Sequence, residues 1–386
     1  MLEGAGSGAA FPVVPASVRG DEEDDQAMTA GSPTGRGSST AGHGSEGGPA
    51  PVQPDTIRRL QAGVAPAMAL LAGMQLRVFT RLDAGPATAR ELATALDVDP
   101  GRLPRLLRAL VAIGLLEETD GRFRNTAEAA AFLVEGRPSH LGGQELLAQL
   151  WHADLQTAQS IRSGQPAAMH DFAGASDEAM LAMLRGMHPL AVAAGQDLAR
   201  RLDLTGVRSV IDIGGGSGGL AAALCALEPE RRATLFELPR NARLAAALLQ
   251  ATPGGARVTI EAGDILAAPP SGSYDLAVLR ALVQVLGPDE AGLAIRHAAA
   301  AVRPGGTVVI IGGGILDDDR QGPPSAVLLD LTLMNLYPAG AAYTEAEHAA
   351  WLASAGCHDL RRIVLPTGSS IIVARKAPQK HAPSEA

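Results

Sequence analysis

The sequence predicts an α/β protein in which a helical region precedes a mostly parallel, seven-stranded β-sheet. From Asp55 to about residue 205, apolar residues recur at spacings of three and four, which is typical of helices. Beyond that point, short β-rich runs alternate with Ala- and Leu-rich segments, which predicts parallel strands joined by crossover helices. The β-rich runs are Val210–Ile213, Thr234–Glu237, Val258–Ile260, Leu276–Leu279 and Val308–Ile311, and a hairpin of Arg362–Leu365 with Ile371–Ala374 is expected to add an antiparallel strand.

Length, charge and cysteine content exclude several classes of protein. A chain of 386 residues can hold two domains and a tail. Its net charge of −9 argues against a protein that coats nucleic acid. Two cysteines exclude a disulfide framework and fit a reducing compartment. No apolar stretch is long enough to span a membrane and the N-terminus resembles no targeting peptide, so we expect a cytoplasmic protein without a membrane partner.

The composition divides the chain into four predicted parts. The first part is rich in Gly, Ser, Pro, Ala and Thr and lacks hydrophobic periodicity, so we expect a disordered tail. Met28 leaves open whether the chain starts there or at Met1. The four parts are the tail at residues 1–54, a helical domain at 55–205, an α/β domain at 206–376 and a short tail at 377–386.

A winged helix is predicted near the start of the helical domain. Thr88 and Glu91 are spaced as a capping box, which marks the beginning of a helix. A second helix is expected from Leu103 to Leu116, and the turn at Asp120 and Gly121 then joins two β-rich runs into a hairpin. The preceding helix has an apolar face that this unit cannot cover alone, so we expect a homodimer. That face carries Ile57, Leu60, Val64, Leu70 and Leu71.

The winged helix also leaves a transcriptional regulator as an alternative. The second helix of the unit carries Arg102, Arg105 and Arg108, side chains that can contact phosphates. Apolar residues share that helix and the chain is acidic overall, so we expect no nucleic-acid partner.

The motif with the clearest chemistry is a glycine-rich loop at residues 212–219, between a β-rich run and a helix. Its glycines allow a ligand to approach the backbone and its amide N–H groups. Gly214, Gly216 and Gly219 satisfy the G-x-G-x-x-G pattern, so a dinucleotide site is an alternative. Asp212 lies two residues before the first glycine, where dinucleotide sites commonly have an apolar residue. This carboxylate favours S-adenosylmethionine, whose amino-acid end it can help to position.

Two further carboxylates follow the next two predicted strands. Glu237 ends the second strand, where it can accept hydrogen bonds from two ribose hydroxyls. Asp264 follows the third strand, where it can accept a hydrogen bond from the adenine amino group. Three strand ends that carry these side chains in this order predict S-adenosylmethionine as the cofactor.

With these motifs the sequence resembles the plant-type and bacterial small-molecule O-methyltransferases that have an N-terminal winged-helix dimerisation domain. The resemblance covers about residues 55–376. It implies a Rossmann-like class I methyltransferase domain, S-adenosylmethionine as cofactor, a homodimer and a small-molecule substrate, most simply an oxygen of a secondary metabolite. The matching motifs are DIGGGSG at 212–218, FELP at 236–239, GD at 263–264, YDL at 274–276, RPGG at 303–306 and YTEAE at 343–347.

The resemblance also implies roles for individual residues. Gly214 and Gly216 would line the methionine part of the cofactor and Glu237 its ribose. Asp264 and Ile265 would hold adenine. Arg280 replaces a basic residue that faces the cofactor carboxylate. The other expected cofactor contacts are Asp212, Leu238 and Gly263, and the expected substrate-pocket residues are Met187, Tyr337 and Tyr343.

The pattern breaks at the family's general base. Where the family has a His, this chain has Gln284, and the two acidic residues that orient that His correspond to Gly313 and Ala342. Gln cannot take a proton at neutral pH. Three interpretations remain open: methyl transfer to an acceptor that needs no strong base, with catalysis by proximity and desolvation; use of another group as base; or cofactor binding without methyl transfer.

Few side chains are available as another base. His152, His170 and His188 lie in the helical region, and His188 is the best candidate because family members contact substrate and cofactor in that stretch. Gln284 is expected to orient the acceptor through its amide, which favours acceptors already ionised near neutral pH. The acidic run at 317–319 lacks a His partner, so no metal is predicted. The acceptor, and whether its oxygen, nitrogen, sulfur or carbon is methylated, stays open.

Overall fold

The computed structural model describes residues 52–137, 139–169 and 174–378. The tails predicted at the two ends therefore lie almost wholly outside the described residues, as does the candidate His170. From Asp55 onwards the chain belongs to one compact unit. Among the described residues, no helix combines the length and apolar character that a membrane span requires.

The N-terminal region is helical and contains one small antiparallel sheet. Its strands, in the spatial order β1-β3-β2, are β1 (Ala87–Thr88), β2 (Leu116–Thr119) and β3 (Arg122–Asn125). Its helices are α1 (Asp55–Gln75), α2 (Val78–Leu82), α3 (Ala89–Leu96), α4 (Leu103–Ala112), α5 (Ala127–Phe132), α6 (Gln144–Asp154), α7 (Thr157–Ser163) and α8 (Asp177–Arg201).

Local sequence accounts for the winged helix in this region. The predicted capping box is present, since Thr88 Oγ1 accepts from Glu91 N at 3.3 Å and Glu91 Oε2 accepts from Thr88 N at 2.7 Å. Asp120 and Gly121 both have positive φ, as a tight hairpin turn between β2 and β3 requires. The second helix, expected to extend to residue 116, ends at Ala112 because Gly114 adopts a φ of 79° and turns the chain into β2.

The C-terminal region is an α/β sandwich whose seven-stranded sheet confirms the prediction. The strand order is β11-β12-β8-β7-β4-β5-β6, with β4 to β8 parallel and β12 antiparallel to both of its neighbours. A separate parallel pair, β9 with β10, was not predicted. The strands are β4 (Ser209–Ile213), β5 (Arg232–Glu237), β6 (Val258–Ala262), β7 (Tyr274–Arg280), β8 (Val302–Gly312), β9 (Ile315–Leu316), β10 (Tyr343–Thr344), β11 (Cys357–Val364) and β12 (Ser370–Lys376). The helices are α9 (Gly219–Leu227), α10 (Pro239–Gln250), α11 (Pro288–Ala300), α12 (Pro324–Leu336) and α13 (Glu345–Ser354).

Helices cover both faces of the large sheet. Leu198 of α8 and Leu224 of α9 pack on one face, and Ile295 of α11 and Leu352 of α13 pack on the other. The central strands are buried on both sides, which explains why they are almost continuously apolar in the sequence. Because β4, β5 and β7 are parallel, their carboxyl ends meet at one edge of the sheet, and the loops that follow them meet there too.

Candidate active site

A cavity of about 250 Å³ opens at the carboxyl ends of β4, β5 and β7. The glycine-rich loop after β4 and apolar side chains from α6 and α8 line it. Its lining contains both acidic and apolar groups, so it can hold a ligand with a charged end and an apolar end. The lining residues are Leu146, Met183, Leu184, Met187, Ala191, Asp212, Gly214, Gly215, Gly216, Ser217, Leu220, Glu237, Asn241, Arg280, Ala281, Leu282, Val285 and Tyr337.

The glycine-rich loop takes a shape that other residues would not tolerate. Gly214 and Gly216 have φ angles of 64° and 59°, in the left-handed region. A Cβ on Gly215 would collide with the carboxylate of Asp212. The backbone of this loop therefore lies close to Asp212 and forms a wall of the cavity.

Glu237 ties this loop to the end of β5. Its Oε2 accepts from Gly216 N at 2.8 Å, and its Oε1 accepts from Leu238 N at 2.8 Å and from Asn241 Nδ2 at 3.2 Å. Asn241 was not among the predicted site residues. Its position on the first turn of α10, four residues after Glu237, was the signal that could have identified it.

Asp212 is a buried carboxylate without a hydrogen-bond partner. Its side chain is fully buried, and neither carboxylate oxygen is hydrogen-bonded within the described residues. Burial raises the pKa of Asp212 to about 7, against the positive charge of Arg280 and the nearby backbone N–H of Ala221, both of which lower it. Burial also lowers the pKa of Arg280, while Asp212 raises it. A cationic group bound in the cavity would supply Asp212 with the partner that it lacks.

Four predicted cofactor residues do not line this cavity. Asp264 is exposed, and its Oδ1 accepts from Leu266 N at 2.9 Å. Ile265 is buried in the core on the α11 side of the sheet. Gly263 packs against the ring of Phe236, and Leu238 is about half exposed.

Gln284 lies on a short 3₁₀ turn after β7, where its side chain supports the backbone that follows β8. Its Oε1 accepts from Gly314 N at 3.1 Å, and its carbonyl oxygen accepts from Ala341 N at 3.1 Å. Within the described residues, Nε2 of Gln284 has no hydrogen-bond partner. Gln284 itself does not line the cavity, although Leu282 and Val285 on the same segment do.

The positions of the two missing acidic residues are closely packed. A Cβ on Gly313 would lie 2.7 Å from Cδ2 of Leu329, a residue of α12. Ala342 is buried, and its backbone N–H donates to Asp330 Oδ1 at 2.6 Å. An acidic side chain at position 313 therefore has no room unless Leu329 moves.

The three predicted substrate-pocket residues separate into two groups. Met187 and Tyr337 line the cavity. Tyr343 does not line it, since its ring is buried edge-on against Trp351 at 4.9 Å and its hydroxyl donates to Leu286 O at 2.6 Å. Burial raises the pKa of Tyr343 to about 12, so this hydroxyl stays protonated and supports the segment that carries Gln284.

His188 lies on α8, behind the glycine-rich loop, and does not line the cavity. Its Nδ1 is 3.0 Å from Ser217 Oγ and its Nε2 is 2.9 Å from Thr252 Oγ1, so both ring nitrogens are engaged. Burial lowers the pKa of this imidazole. His152 lines a different, apolar groove between α1 and α6.

The acidic run at 317–319 is engaged in contacts with β11, with α13 and with its own loop. Asp317 pairs with Arg362 at 2.7 Å, and Asp318 and Asp319 accept backbone N–H groups at 2.9 Å. In the part of the chain that the structure describes, no group of acidic, His and Cys side chains could hold a metal ion.

The apolar face predicted on α1 is exposed only in part, since Ile57, Leu60 and Val64 lie in solvent whereas Leu70 and Leu71 are half-buried and Leu70 packs on the core of this region. Leu60 and Val64 are about 60% accessible, and with Met68 they line a groove of about 580 Å³ that Trp151 of α6 also borders. Such a surface is typical of an interface with another protein.

Comparisons with known proteins match both regions. The O-methyltransferase domain model matches residues 154–358, and the O-methyltransferase dimerisation domain model matches residues 59–135. The 3-hydroxy-5-methyl-1-naphthoate 3-O-methyltransferase of Streptomyces sahachiroi is 30% identical, over 87% of this chain and 99% of that protein. The aclacinomycin 10-hydroxylase of Streptomyces purpurascens is 29% identical, over 65% of this chain and 70% of that protein. The solved structure of a mitomycin 7-O-methyltransferase is 27% identical with a TM-score of 0.67, covering 84% of this chain and 97% of that one.

Proposed function

We propose that this chain, which belongs to the O-methyltransferase family, methylates an oxygen of a flat, apolar small molecule without a general base of its own. It is an S-adenosylmethionine-dependent methyltransferase with a small-molecule acceptor. The observation that carries the proposal is the segment around Gln284, where an amide replaces the family's His and Gly313 and Ala342 replace the two orienting acids.

The residues at the strand ends fit the cofactor. Asp212, buried without a partner beside Arg280, suits the charged amino-acid end, while Gly214 and Gly216 leave the loop backbone accessible. Glu237 is placed to accept from the ribose hydroxyls, with Leu238 beside it. Gly263, Asp264 and Ile265 follow the neighbouring strand and do not line the cavity, so their assignment to the adenine end rests on the resemblance alone. Bound S-adenosylmethionine supplies an electrophilic methyl group on a sulfonium centre.

The apolar wall supports a flat, apolar acceptor. Met183, Met187, Leu146 and Val285 are among the apolar side chains that line the cavity. Methionine side chains adapt their shape to a ligand more readily than branched ones do. The naphthoate acted on by one relative is an acceptor of this kind. Tyr337 adds a polar edge to the same wall.

Catalysis then depends on alignment and on exclusion of water. A well-oriented pair of reactants in a dry site can lower the barrier by roughly 7 to 11 kcal/mol. Gln284 does not line the cavity, but Leu282 and Val285 on the same segment do. Because Gly314 N–H engages Oε1 of Gln284, Nε2 is the atom proposed to meet an acceptor beside that segment. An amide nitrogen only donates hydrogen bonds. Gln284 therefore favours an acceptor oxygen that is already deprotonated, such as a carboxylate or an acidic phenol.

His188 is not assigned the role of base in this proposal. Its two ring nitrogens are occupied by Ser217 and Thr252, and burial lowers the pKa of the imidazole. To act as a base, His188 would have to break one of these hydrogen bonds and take up the proton of the methyl acceptor instead.

The chain carries a dimerisation domain, and we infer a homodimer built on it. The exposed apolar groove between α1 and α6 supports self-association, because it leaves Leu60, Val64 and Met68 partly in water in the single chain. Light scattering of a Leu60→Asp and Val64→Asp double variant should show a monomer at micromolar concentration, while the unchanged protein shows a dimer. A monomer mass for the unchanged protein would contradict this inference.

The proposed function is tested by incubating the protein with methyl-labelled S-adenosylmethionine and an extract or a set of hydroxylated aromatic acids. We expect the label on an oxygen of one acceptor, identified by mass. A hydroxylated product that gains no labelled methyl would indicate chemistry like that named for the aclacinomycin relative and would overturn the proposal.

A further inference from the structure

We propose that His188 is a positioning residue for the cofactor loop: its neutral imidazole links Ser217 of the glycine-rich loop to Thr252 after α10. Ser217 lies between Gly216 and Gly218, both of which have positive φ, and it lines the cavity. This inference rests on the assignment of that cavity to the cofactor.

The donors and acceptors in this link have one consistent arrangement in the neutral state. Thr252 Oγ1 donates to Leu248 O at 2.6 Å, so it accepts from Nε2–H of His188 at 2.9 Å. With its proton on Nε2, the ring can only accept at Nδ1. This nitrogen accepts a hydrogen bond from the Ser217 hydroxyl, with 3.0 Å between Nδ1 and Oγ. The lowered pKa of this buried imidazole favours the neutral ring that the arrangement requires.

The link gives the loop a second anchor on α8. The first is the bond from Gly216 N to Glu237, which attaches the loop to β5. Ser217 is 2% accessible, so its hydroxyl has little water to replace His188 as a partner. The backbone of α8 also packs against the end of the loop, since a Cβ on Gly219 would lie 3.0 Å from the carbonyl oxygen of His188. Two anchors on different elements hold the loop backbone in the shape in which it meets the ligand.

Calorimetric titration with S-adenosylhomocysteine tests this role without requiring methyl transfer. His188→Leu removes both bonds, and we expect the dissociation constant to rise about five- to tenfold. His188→Gln is the matched control, because its amide can accept from Ser217 and donate to Thr252, and we expect it to bind within about twofold of the unchanged protein. Ser217→Ala should weaken binding by about as much as His188→Leu.

The double variant separates positioning from a general loss of stability. If the two residues act as one unit, His188→Leu with Ser217→Ala should bind S-adenosylhomocysteine no more weakly than either single variant. Thermal unfolding without ligand monitors the fold, and Thr252→Val replaces His188→Leu in the cycle if the latter does not fold. Additive losses, unchanged affinity in His188→Leu, or no rescue by His188→Gln would overturn the inference. Because no acceptor is present, failure here is distinguishable from failure of the proposed reaction.

Discussion

The candidate site has two parts that are stabilised by different interactions. The charged half lies around Gly216 and Glu237, and the packed half lies around Gln284, on the segment beside the cavity. Around Gly216 and Glu237, a carboxylate accepts backbone N–H groups and a second carboxylate, Asp212, is buried without a partner. Around Gln284, the support consists of an amide hydrogen bond and close packing against glycines and Leu329. Among the described residues that line the cavity, the carboxylates are Asp212 and Glu237, and no imidazole is present. If the cofactor and the acceptor bind as proposed, charge would serve to hold the cofactor and shape would serve to place the acceptor.

The largest effect is expected in the charged half, from Glu237→Ala. This change removes the acceptor for the ribose and the bond that holds Gly216, each worth about 1.5 to 3 kcal/mol for a charged acceptor. The affinity for S-adenosylhomocysteine should fall by about 10² or more in calorimetry. Glu237→Gln, which keeps the shape, should lose less. A loss below tenfold for Glu237→Ala would mean that the charged half does not hold the cofactor.

The stability of the fold is expected to depend on pH through Asp212, the second carboxylate of the charged half. Its pKa of about 7 in the folded chain exceeds the ordinary value of 3.8, so the folded state holds a proton that the unfolded state has released. The free energy of unfolding should therefore fall by up to roughly 4 kcal/mol as the pH rises from about 4 to 7, and level off above that. Asp212→Asn should abolish this slope in denaturant titrations.

The same carboxylate should couple cofactor binding to proton release. A cation beside Asp212 favours its ionised form, so binding of S-adenosylmethionine near pH 7 should release a proton. Calorimetry in buffers of different ionisation enthalpy measures this release. Proton uptake, or a release that persists in Asp212→Asn, would contradict the assignment.

A smaller effect is expected in the packed half, from Gln284→Ala. If Gln284 only orients the acceptor, kcat/KM should fall about tenfold, the value of one hydrogen bond, rather than the 10² to 10⁴ typical of a lost base. The affinity for S-adenosylhomocysteine, measured as the control, should stay within twofold. A thousandfold loss would identify Gln284 as part of a proton-transfer path.

The smallest effect is expected from restoring the family's His. Gln284→His supplies an imidazole but no acid to orient it, since Leu329 fills the space beside Gly313. We expect kcat/KM to stay at or below that of the unchanged protein, as measured by product formation. An increase of more than tenfold, with a new pKa near 6.5 in the rate profile, would show that a base alone is limiting.

The sequence predicted the charged half better than the packed half, for a physical reason. The glycine pattern and the strand-end carboxylates are encoded locally, because a short segment dictates both the backbone shape and the chemistry it carries. Likewise the capping box at Thr88 and the turn at Gly121 were readable from neighbouring residues.

Long-range contacts were not readable in the same way. Leu329 lies 16 residues from Gly313, and Thr252 lies 64 residues from His188. Tyr343 was expected in the pocket but is turned towards Trp351, a contact that depends on how α13 packs. Such packing depends on the tertiary structure and cannot be predicted from a local sequence motif.

The most direct test of methyl transfer without an enzymic base is the pH dependence of kcat/KM for a series of acceptors. Once the labelling screen has identified an acceptor, analogues whose hydroxyl groups differ in pKa can be compared at saturating S-adenosylmethionine. The account predicts that the midpoint of each profile moves with the pKa of the acceptor itself. A midpoint that stays fixed near pH 6.5 for every acceptor, and that disappears in His188→Gln, would reveal a histidine base and contradict the account.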